Sequence, residues 1–206
     1  MTTEKPVAFV VDDDEAVRDA LALHLDLAGL SVRCCASAAE FLEAASPDQP
    51  GCAILDIRMP GMDGLDLQQE MVRRSLTLPV IIITGHGDVT AAVRAFRAGA
   101  VDFLQKPFDE DLLIERVQEA FERDLAARRA DVEAGEIRRR LALLSPRELE
   151  VMEMVAEGLP NKTIALRLSI GIRTVETHRA RVLEKMEARN APELTRMQMR
   201  LGERRE

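Results

Sequence analysis

Acidic side chains end or follow two of the short apolar runs in this 206-residue chain, which makes them candidates for phosphoryl chemistry. Asp12 and Asp13 come directly after the first run, and Asp56 ends the third. Thr84 ends the fourth run and Lys106 follows the fifth, so a hydroxyl and an ammonium group occupy equivalent positions. Because an aspartate carboxylate is an established phosphoryl acceptor, Asp56 is the candidate nucleophile.

The charges of this group balance only when a divalent cation is added. Asp12, Asp13 and Asp56 are three carboxylates that repel one another when they lie close together. Mg²⁺ suits such a site because it takes one or two carboxylates and keeps several waters, and Lys106 supplies the remaining positive charge. We therefore predict a magnesium-dependent site in which Asp56 attacks in line while Mg²⁺ and Lys106 hold the phosphoryl oxygens.

These side chains can meet only if the chain forms a parallel sheet. Over the first 108 residues, short apolar runs alternate with helical patterns, and the run at 79–84 is typical of a strand buried on both faces. Short connections imply right-handed crossovers, and ligands bind beyond the carboxyl ends of such strands. The predicted strands are Val7–Val11, Val32–Cys35, Cys52–Leu55, Val80–Ile83 and Val101–Leu104, and the helices between them are Glu15–Ala28, Ala38–Ala45, Leu65–Arg74 and Val89–Ala98.

Several motifs in the first 122 residues resemble those of the receiver domains of two-component response regulators, most closely the FixJ-like group. They read VVDDDEAVRDAL, LDIRMPGMDGLDL, ITGHGD and AGAVDFLQKPF, and they occur in the expected order. The resemblance covers about residues 5–122. It implies a flavodoxin-like receiver, which is a doubly wound five-stranded parallel sheet.

The resemblance also implies roles for individual residues. Asp56 is expected to be the phosphorylated residue. Mg²⁺ contacts are expected from Asp13, from Asp12 largely through water, from Asp56, and from the backbone carbonyl of Arg58.

Thr84 and Phe103 match the switch pair of this family. The resemblance implies that the hydroxyl turns toward the phosphoryl group while the aromatic ring moves inward. Arg58 and His86 lie two positions after Asp56 and Thr84, and our hypothesis is that they tune the phosphate lifetime by obstructing or orienting the attacking water. Unchanged dephosphorylation rates in the Arg58→Ala and His86→Ala variants would contradict it.

A second set of patterns after Leu144 predicts four short helices. Ser145, Pro146 and Glu148 match a capping box with a proline start. The first of these helices is expected to bury Leu149, Met152 and Val155. The next is expected to be capped by Asn161 and to cover Lys162–Leu168, and a tight turn, Ser169–Ile172, leads to the longest, Arg173–Ala188, whose expected core residues are Val175, Val182 and Met186. Two helices joined by a turn of about four residues are typical of a helix-turn-helix.

The segments LSPRELEVM, EGLPNKTIALRL and RTVETHRARVLEKM resemble the LuxR-type helix-turn-helix of the FixJ and NarL regulators, over residues 145–200. In that family the Thr174–Ala188 helix enters the major groove of DNA. Glu176 is a candidate acceptor for a cytosine amino group, and Thr177 and Ala180 offer small surfaces to a thymine methyl. The candidate phosphate contacts are Lys162, Arg173, Thr174, Arg179 and Arg181. One departure is Gly171-Ile172, where the family often has serine followed by a polar residue or proline.

Charge and helical patterning divide the chain into two domains and a linker. The net charge is −8, but the acidic excess lies in residues 1–122, the predicted receiver, while residues 123–144 and 145–206 are mildly basic. Asp109–Phe121 is predicted as the last receiver helix, continuing as a solvated linker helix over 123–144 with Gly135 as its weakest point. A flexible linker is the alternative. The predicted fold class is therefore α/β plus all-α, with residues 145–206 as the DNA-binding domain.

The composition and the N-terminal sequence indicate where in the cell the protein is expected. No apolar run reaches the roughly 18 residues that span a bilayer, and the N-terminus lacks the layout of a signal peptide. We therefore expect a cytoplasmic protein, associated with the nucleoid when it is bound to DNA. Cys34, Cys35 and Cys52 are expected to be reduced packing residues.

These features predict a phosphorylation-controlled transcription factor rather than an enzyme, with at most self-phosphorylation from small donors and autodephosphorylation. The expected partners are a sensor histidine kinase, double-stranded DNA, RNA polymerase and a second copy of the chain. The resemblance implies dimerisation through the Val89–Leu104 surface, and relief of a masked DNA-binding helix is the alternative. A phosphatase or mutase that uses Asp12-x-Asp14, and a receiver whose output is protein docking, are the rival interpretations.

Overall fold

The computed structural model describes residues 5–85 and 89–202. The chain forms two compact units that divide between Ala127 and Arg128. The division lies inside the 123–144 segment that the sequence sets apart as a linker. Among the described residues, no helix combines the length and the apolar character needed to cross a membrane.

The first unit contains a five-stranded parallel sheet with the strand order β2-β1-β3-β4-β5. The strands are β1 Val7–Val11, β2 Ser31–Cys35, β3 Gly51–Asp56, β4 Val80–Thr84 and β5 Asp102–Gln105. The helices of this unit are α1 Glu15–Leu27, α2 Ala38–Ala44, α3 Gly64–Arg73 and α4 Val89–Arg97, followed by α5 Glu110–Leu141. This is the doubly wound, flavodoxin-like order, and it confirms the predicted fold class. Its topological switch point lies between β1 and β3.

Alternate residues of the strands pack on opposite faces of the sheet. On one face, Phe9 and Leu55 join a core that includes residues of α2, α3 and α4. On the other, Val10 and Ile54 pack with residues of α1 and α5. The central strands β3 and β4 are buried along their whole length, as their continuous apolar runs predict.

The three cysteines are free thiols, and two of them are fully buried. Burial raises the pKa of the Cys35 thiol to about 11, so it stays protonated at neutral pH. Cys52 is buried in the core formed with α1 and α5, and Cys34 packs against the same core. Their place in the structure fits packing residues.

The second unit has four short helices after the end of α5. They are α6 Pro146–Ala156, α7 Asn161–Leu168, α8 Ile172–Lys185 and α9 Ala191–Gly202. The predicted core residues Val175, Val182 and Met186 are fully buried. They pack with residues of α6, α7 and α9 in one cluster.

The beginning of α6 confirms one sequence prediction and corrects another. Ser145 and Glu148 form the predicted capping box, with Pro146 in the first turn. Leu149, however, is 39% exposed rather than buried. The buried side of α6 begins with Glu148, whose carboxylate completes the capping box. Leu149 therefore lies at the edge of the buried side.

Three helix boundaries in the second unit differ from the predictions. Asn161 does not cap α7 but is its first residue, and Pro160 takes the cap position without a side-chain hydrogen bond. The helix α8 begins at Ile172 rather than Arg173, which removes Ile172 from the predicted turn, and it ends at Lys185 instead of Ala188. Glu187 adopts a left-handed backbone with φ of 52°, which stops the helix.

The helix α5 is continuous over 32 residues, includes Gly135 and ends at Leu141, so a helical linker is confirmed over the flexible alternative, although it stops short of the predicted residue 144. A methyl group added at Gly135 would meet no other atom within 4 Å. Gly135→Ala is therefore expected to raise the free energy of unfolding by about 0.5–1 kcal/mol, because alanine loses less backbone entropy in a helix. Urea unfolding followed by circular dichroism measures this gain, and an unchanged or lowered stability would contradict it.

Candidate functional sites

Three of the predicted pocket residues meet at the carboxyl edge of the sheet. Asp12 follows β1, Asp56 ends β3, and Lys106 follows β5. The Lys106 Nζ lies 2.7 Å from Asp12 Oδ2 and 2.8 Å from Asp56 Oδ1. Residues up to 94 positions apart thus share one cluster, as the parallel topology predicts.

Both oxygens of the Asp56 carboxylate accept hydrogen bonds. Oδ1 accepts from Lys106 Nζ, and Oδ2 accepts from the backbone N–H of Arg58 over 2.6 Å. The Asp56 side chain is only 9% exposed. The carboxylate is thereby held in one orientation at the end of β3, while the Arg58 side chain itself is exposed.

Asp12 is buried, whereas the adjacent Asp13 is exposed. Asp12 Oδ1 accepts from the backbone N–H of Asp14 over 2.9 Å. The Asp14 carboxylate caps α1 by accepting from Ala16 N, so it is engaged in starting the helix. This engagement weighs against an Asp12-x-Asp14 phosphatase centre.

The charge of Lys106 is set by competing effects. Burial opposes the ammonium form, but the hydrogen bonds and negative charges of Asp12 and Asp56 outweigh it, so the pKa of Lys106 is raised above its ordinary value. Lys106 therefore remains a cation at neutral pH. One ammonium faces two buried carboxylates, which leaves negative charge that a divalent cation would neutralise.

The donor set at this edge suits Mg²⁺ better than softer metals. Carboxylate oxygens of Asp12, Asp13 and Asp56 and the Arg58 carbonyl are hard ligands of the kind Mg²⁺ prefers. Within residues 5–85 and 89–202, no three acidic, histidine or cysteine side chains are grouped closely enough to hold a metal by themselves. A cation that keeps several of its waters is compatible with such an incomplete set.

The candidate switch residues lie on adjacent strands. Thr84 ends β4 and is 1% exposed, and the Lys106 backbone N–H donates to its carbonyl oxygen over 2.8 Å. Phe103 lies in β5 opposite Ile82 and packs, partly buried, on the core shared with α2, α3 and α4. His86, the other candidate near Thr84, lies outside the described residues.

In the second unit, α8 presents most of its candidate DNA contacts to solvent. Those exposed side chains are Arg173, Thr174, Glu176, Thr177, Ala180 and Arg181, and Lys162 is exposed on α7. The Thr177 hydroxyl donates to the Arg173 carbonyl over 3.0 Å, so its polar atom is engaged by the helix itself. Val175 and Val182 are buried and lie seven positions apart, so α8 has one buried side and one exposed side.

Arg179 differs from the other candidate contacts. It is half-buried, and its Nη1 donates to Asn161 Oδ1 over 3.0 Å. This bond joins α7 to α8. Sequence reasoning assigned Asn161 to a helix cap and therefore missed this contact.

A partly buried ion pair also supports α8, and no local sequence pattern predicts it. Lys185 Nζ, at the end of α8, lies 2.6 Å from Glu148 Oε2 and also donates to the Leu143 carbonyl. Hydrogen bonds from Lys185 and from the Ser145 backbone lower the pKa of Glu148 to about 2. The capping box was readable from residues 145–148, but the lysine that completes it lies 37 positions away.

Glu148→Gln is expected to lower the free energy of unfolding by about 2 kcal/mol at neutral pH, because Lys185 loses a charged partner. The folded pKa of Glu148 lies below the ordinary value of 4.5, so its stabilising contribution is complete above that value and is lost as the pH falls toward 2. The stability difference between wild type and variant should therefore shrink over this range.

Urea unfolding followed by circular dichroism, repeated from neutral to acidic pH, measures this difference. Glu150→Gln is the matched control, because Glu150 forms an exposed pair with Arg147 on the same helix and is expected to contribute little. Equal losses in the two variants would contradict the prediction.

Comparisons with known proteins agree with both halves of the chain. Residues 8–118 match the family model described as response regulator receiver domain, and residues 142–198 match the one described as bacterial regulatory proteins, luxR family. The transcriptional regulatory protein FixJ of Azorhizobium caulinodans is 47% identical over 193 residues, which cover 94% of this chain and 92% of that protein. Nodulation protein W of Bradyrhizobium diazoefficiens is 43% identical over 198 residues, which cover 96% and 87%.

Two solved structures of response regulators are also similar to nearly the whole chain. The response regulator StyR is similar with a TM-score of 0.82 at 38% identity, over 95% of this chain and 98% of that one. Full-length FixJ from B. japonicum is similar with a TM-score of 0.60 at 44% identity, over 98% and 99%.

Proposed function

This chain belongs to the two-component response regulators that carry a LuxR-type DNA-binding domain, and we propose that it regulates transcription under the control of phosphorylation at Asp56. The proposal rests mainly on the cluster in which Lys106 bridges Asp12 and Asp56 at the carboxyl edge of the sheet. In the proposed division, residues 1–122 are the receiver, 123–144 the linker and 145–206 the DNA-binding domain.

In the proposed reaction, an Asp56 oxygen attacks the phosphorus of a phosphohistidine in a sensor kinase, or of a small donor. An oxygen–phosphorus bond forms at Asp56 as the bond to the donor breaks. The Arg58 N–H and the Lys106 ammonium orient the carboxylate, and Lys106 remains charged to hold a phosphoryl oxygen. The chain thus acts as a phosphoacceptor, with at most self-phosphorylation from small donors and autodephosphorylation.

Asp12, Asp13, Asp56 and the Arg58 carbonyl are the groups that would hold Mg²⁺, with Asp12 acting largely through water. When it is bound, Mg²⁺ supplies positive charge that screens the carboxylates and the phosphoryl oxygens. Arg58, whose side chain is exposed beside Asp56, and His86 are proposed to tune the phosphate lifetime.

Phosphorylation adds negative charge and acceptor oxygens beside Thr84, and we propose that Thr84 and Phe103 then change position together. Such a change would reach α4, whose exposed face carries Val89, Val93 and Phe96 at helical spacing. An exposed apolar stripe of this kind favours dimerisation through the Val89–Leu104 surface. Release of a masked α8 is the alternative response, and it predicts phosphorylation-dependent DNA binding by a monomer.

Phe96→Asp is expected to weaken self-association of the phosphorylated protein at least about tenfold, because it places a charge in an apolar interface. Sedimentation velocity with and without acetyl phosphate measures this change. Val72→Asp is the control, since Val72 is a similarly exposed apolar residue on α3. Equal dimerisation of the Phe96→Asp protein and the control would contradict the proposed interface.

For DNA binding we propose that α8 enters the major groove, so that its exposed face meets the base edges. Glu176, Thr177 and Ala180 are the proposed base contacts. The proposed phosphate contacts are Lys162, Arg173, Thr174, Arg179 and Arg181. A dimer would bind two half-sites separated by about one helical turn or a multiple of it, and RNA polymerase is a further proposed partner.

The decisive experiment is genome-wide footprinting of the wild type and Asp56→Asn, each with and without acetyl phosphate. The proposal predicts discrete sites whose occupancy rises with acetyl phosphate only in the wild type. Duplex binding should also weaken steeply as salt increases. Absence of duplex binding would favour a protein-docking output, and multiple turnover of a phosphate ester that depends on Asp12 but not on Asp56 would favour an enzyme.

A further inference from the structure

A buried backbone carbonyl beside the acidic pocket accepts a hydrogen bond from an arginine side chain. Arg18 is the fourth residue of α1, and its Nη1 donates to the Asp12 carbonyl oxygen over 2.8 Å. Asp12 is 2% exposed and lies just beyond the end of β1. Within the described residues, no backbone N–H donates to this carbonyl. Because a buried acceptor without a donor is costly, Arg18 supplies a bond that the sheet and the helix do not.

The bond from Arg18 completes the restraint of Asp12. The carboxylate is held through Oδ2 by Lys106 and through Oδ1 by the Asp14 N–H, and Arg18 holds the peptide itself. That peptide joins Asp12 to Asp13, so its orientation determines how the two carboxylates are placed relative to each other. A rotation of this peptide would move Asp13, whose exposed side chain receives no such restraint from the residues that the structure describes.

We propose that Arg18 is a positioning residue for Mg²⁺ binding and phosphoryl transfer, acting through the peptide between Asp12 and Asp13. The inference rests on the proposed function, because it assigns a support to the same site. Arg18 is not placed among the groups that contact the cation or the phosphoryl oxygens. Groups that orient metal ligands in this way commonly change metal affinity by 10–100-fold when they are removed.

The sign of the effect separates positioning from simple electrostatics. Arg18 is a cation near the pocket, so its charge alone disfavours a second cation there. If charge were its only contribution, Arg18→Ala would bind Mg²⁺ more tightly. If Arg18 fixes the peptide, the same variant binds Mg²⁺ more weakly despite the lost repulsion.

The chain offers a matched control for this comparison. Arg33, in β2, also donates from Nη1 to a backbone carbonyl, that of Ala44, over 3.3 Å. Arg33→Ala therefore removes the same charge and the same type of bond from the same unit. It does not touch the peptide between Asp12 and Asp13.

The experiment titrates the full-length protein with MgCl₂ and follows the backbone amide resonances of Asp12 and Asp13 by NMR. Arg18→Ala is expected to raise the Mg²⁺ dissociation constant on the order of tenfold. Its Asp13 amide resonance should also shift before any Mg²⁺ is added. Arg33→Ala should bind as the wild type does, and Arg18→Lys, which keeps a charged donor, should recover most of the affinity. Urea unfolding of each variant confirms that it is folded under the titration conditions.

Wild-type affinity or tighter binding in Arg18→Ala, while the wild type binds Mg²⁺ and accepts a phosphoryl group from acetyl phosphate, would overturn the inference alone. A wild type that neither binds Mg²⁺ nor is phosphorylated would overturn the proposed function as well. Equal weakening in Arg18→Ala and Arg33→Ala would also overturn the inference, because it would assign the effect to general loss of stability.

Discussion

Asp56→Asn is expected to abolish phosphorylation of the protein by acetyl phosphate or by a sensor kinase. The amide lacks the anionic oxygen that attacks phosphorus, and the neighbouring carboxylates of Asp12 and Asp14 are engaged in other bonds. Asp12 is bonded to Lys106 and to the Asp14 N–H, and Asp14 caps α1. Asp13, the remaining neighbour, is assigned to Mg²⁺ in the proposed function, so we expect the loss to be complete rather than partial.

The variant should nonetheless remain folded. In the wild type one Lys106 ammonium faces the two carboxylates of Asp12 and Asp56. Replacing Asp56 with asparagine leaves a balanced Lys106–Asp12 pair, and the asparagine carbonyl can still accept a hydrogen bond. Loss of phosphorylation can thus be separated from loss of structure by urea unfolding.

Intact-protein mass spectrometry after incubation with acetyl phosphate and Mg²⁺ measures the result. Asp63→Asn is the matched control, because Asp63 caps α3 in the loop after Asp56 and asparagine is an equally good cap. The control should gain one phosphoryl group and Asp56→Asn none. A phosphorylated Asp56→Asn protein would place the acceptor elsewhere.

Sequence reasoning found the acidic pocket because the pocket depends on topology alone. Once the apolar runs are taken as parallel strands, the residues that follow them must share an edge, and Asp12, Asp56 and Lys106 do so. The strand pattern was sufficient because β3 and β4 are buried on both faces. The shared edge predicts that these side chains lie close together, whereas the distances of 2.7 and 2.8 Å from Lys106 Nζ come from the structure.

The contacts that the sequence did not reveal are those made by single long side chains between elements. Neither the Lys185 bond to Glu148 nor the Arg179 bond to Asn161 has a local pattern, since the partners are 37 and 18 positions apart. Arg18 was missed for a different reason. Its partner is a backbone carbonyl, which every residue has, so no residue type in the sequence marks the bond.

Leu149 shows where helical periodicity misleads. Its spacing to Met152 fits an inward position, but the first inward place of α6 is taken by Glu148. Glu148 can be buried there because its carboxylate accepts hydrogen bonds from the Ser145 backbone N–H and from Lys185 Nζ. Pattern reasoning assigns buried positions by polarity and therefore gave the position to the leucine.

Gly64→Ala is expected to damage both the fold and the proposed phosphoryl transfer. A methyl group at Gly64 would lie 2.2 Å from the Asp56 carbonyl oxygen and 2.9 Å from its carbonyl carbon. Both are backbone atoms that cannot rotate away, and the Gly64 N–H donates to the Ile57 carbonyl over 3.0 Å in the same turn. Either α3 or the end of β3 must therefore move.

The expected cost is about 2–3 kcal/mol in the free energy of unfolding, as for other insertions into closely packed positions. The rate of phosphorylation should fall on the order of 100-fold, because a displacement of about 1 Å at a reacting group has effects of that size. Urea unfolding and the time course of phosphorylation by acetyl phosphate measure the two effects.

Gly61→Ala is the control that separates the effect of a steric clash from the effect of backbone strain. Gly61 lies in the same loop with φ of 82°, but a methyl group there would meet nothing within 4 Å. It should cost about 1–2 kcal/mol through its left-handed conformation while the phosphorylation rate stays near that of the wild type. If Gly64→Ala lost stability without losing phosphorylation, the end of β3 would be unaffected and α3 would be the element that moves. That outcome would contradict the predicted loss of phosphorylation rate in Gly64→Ala.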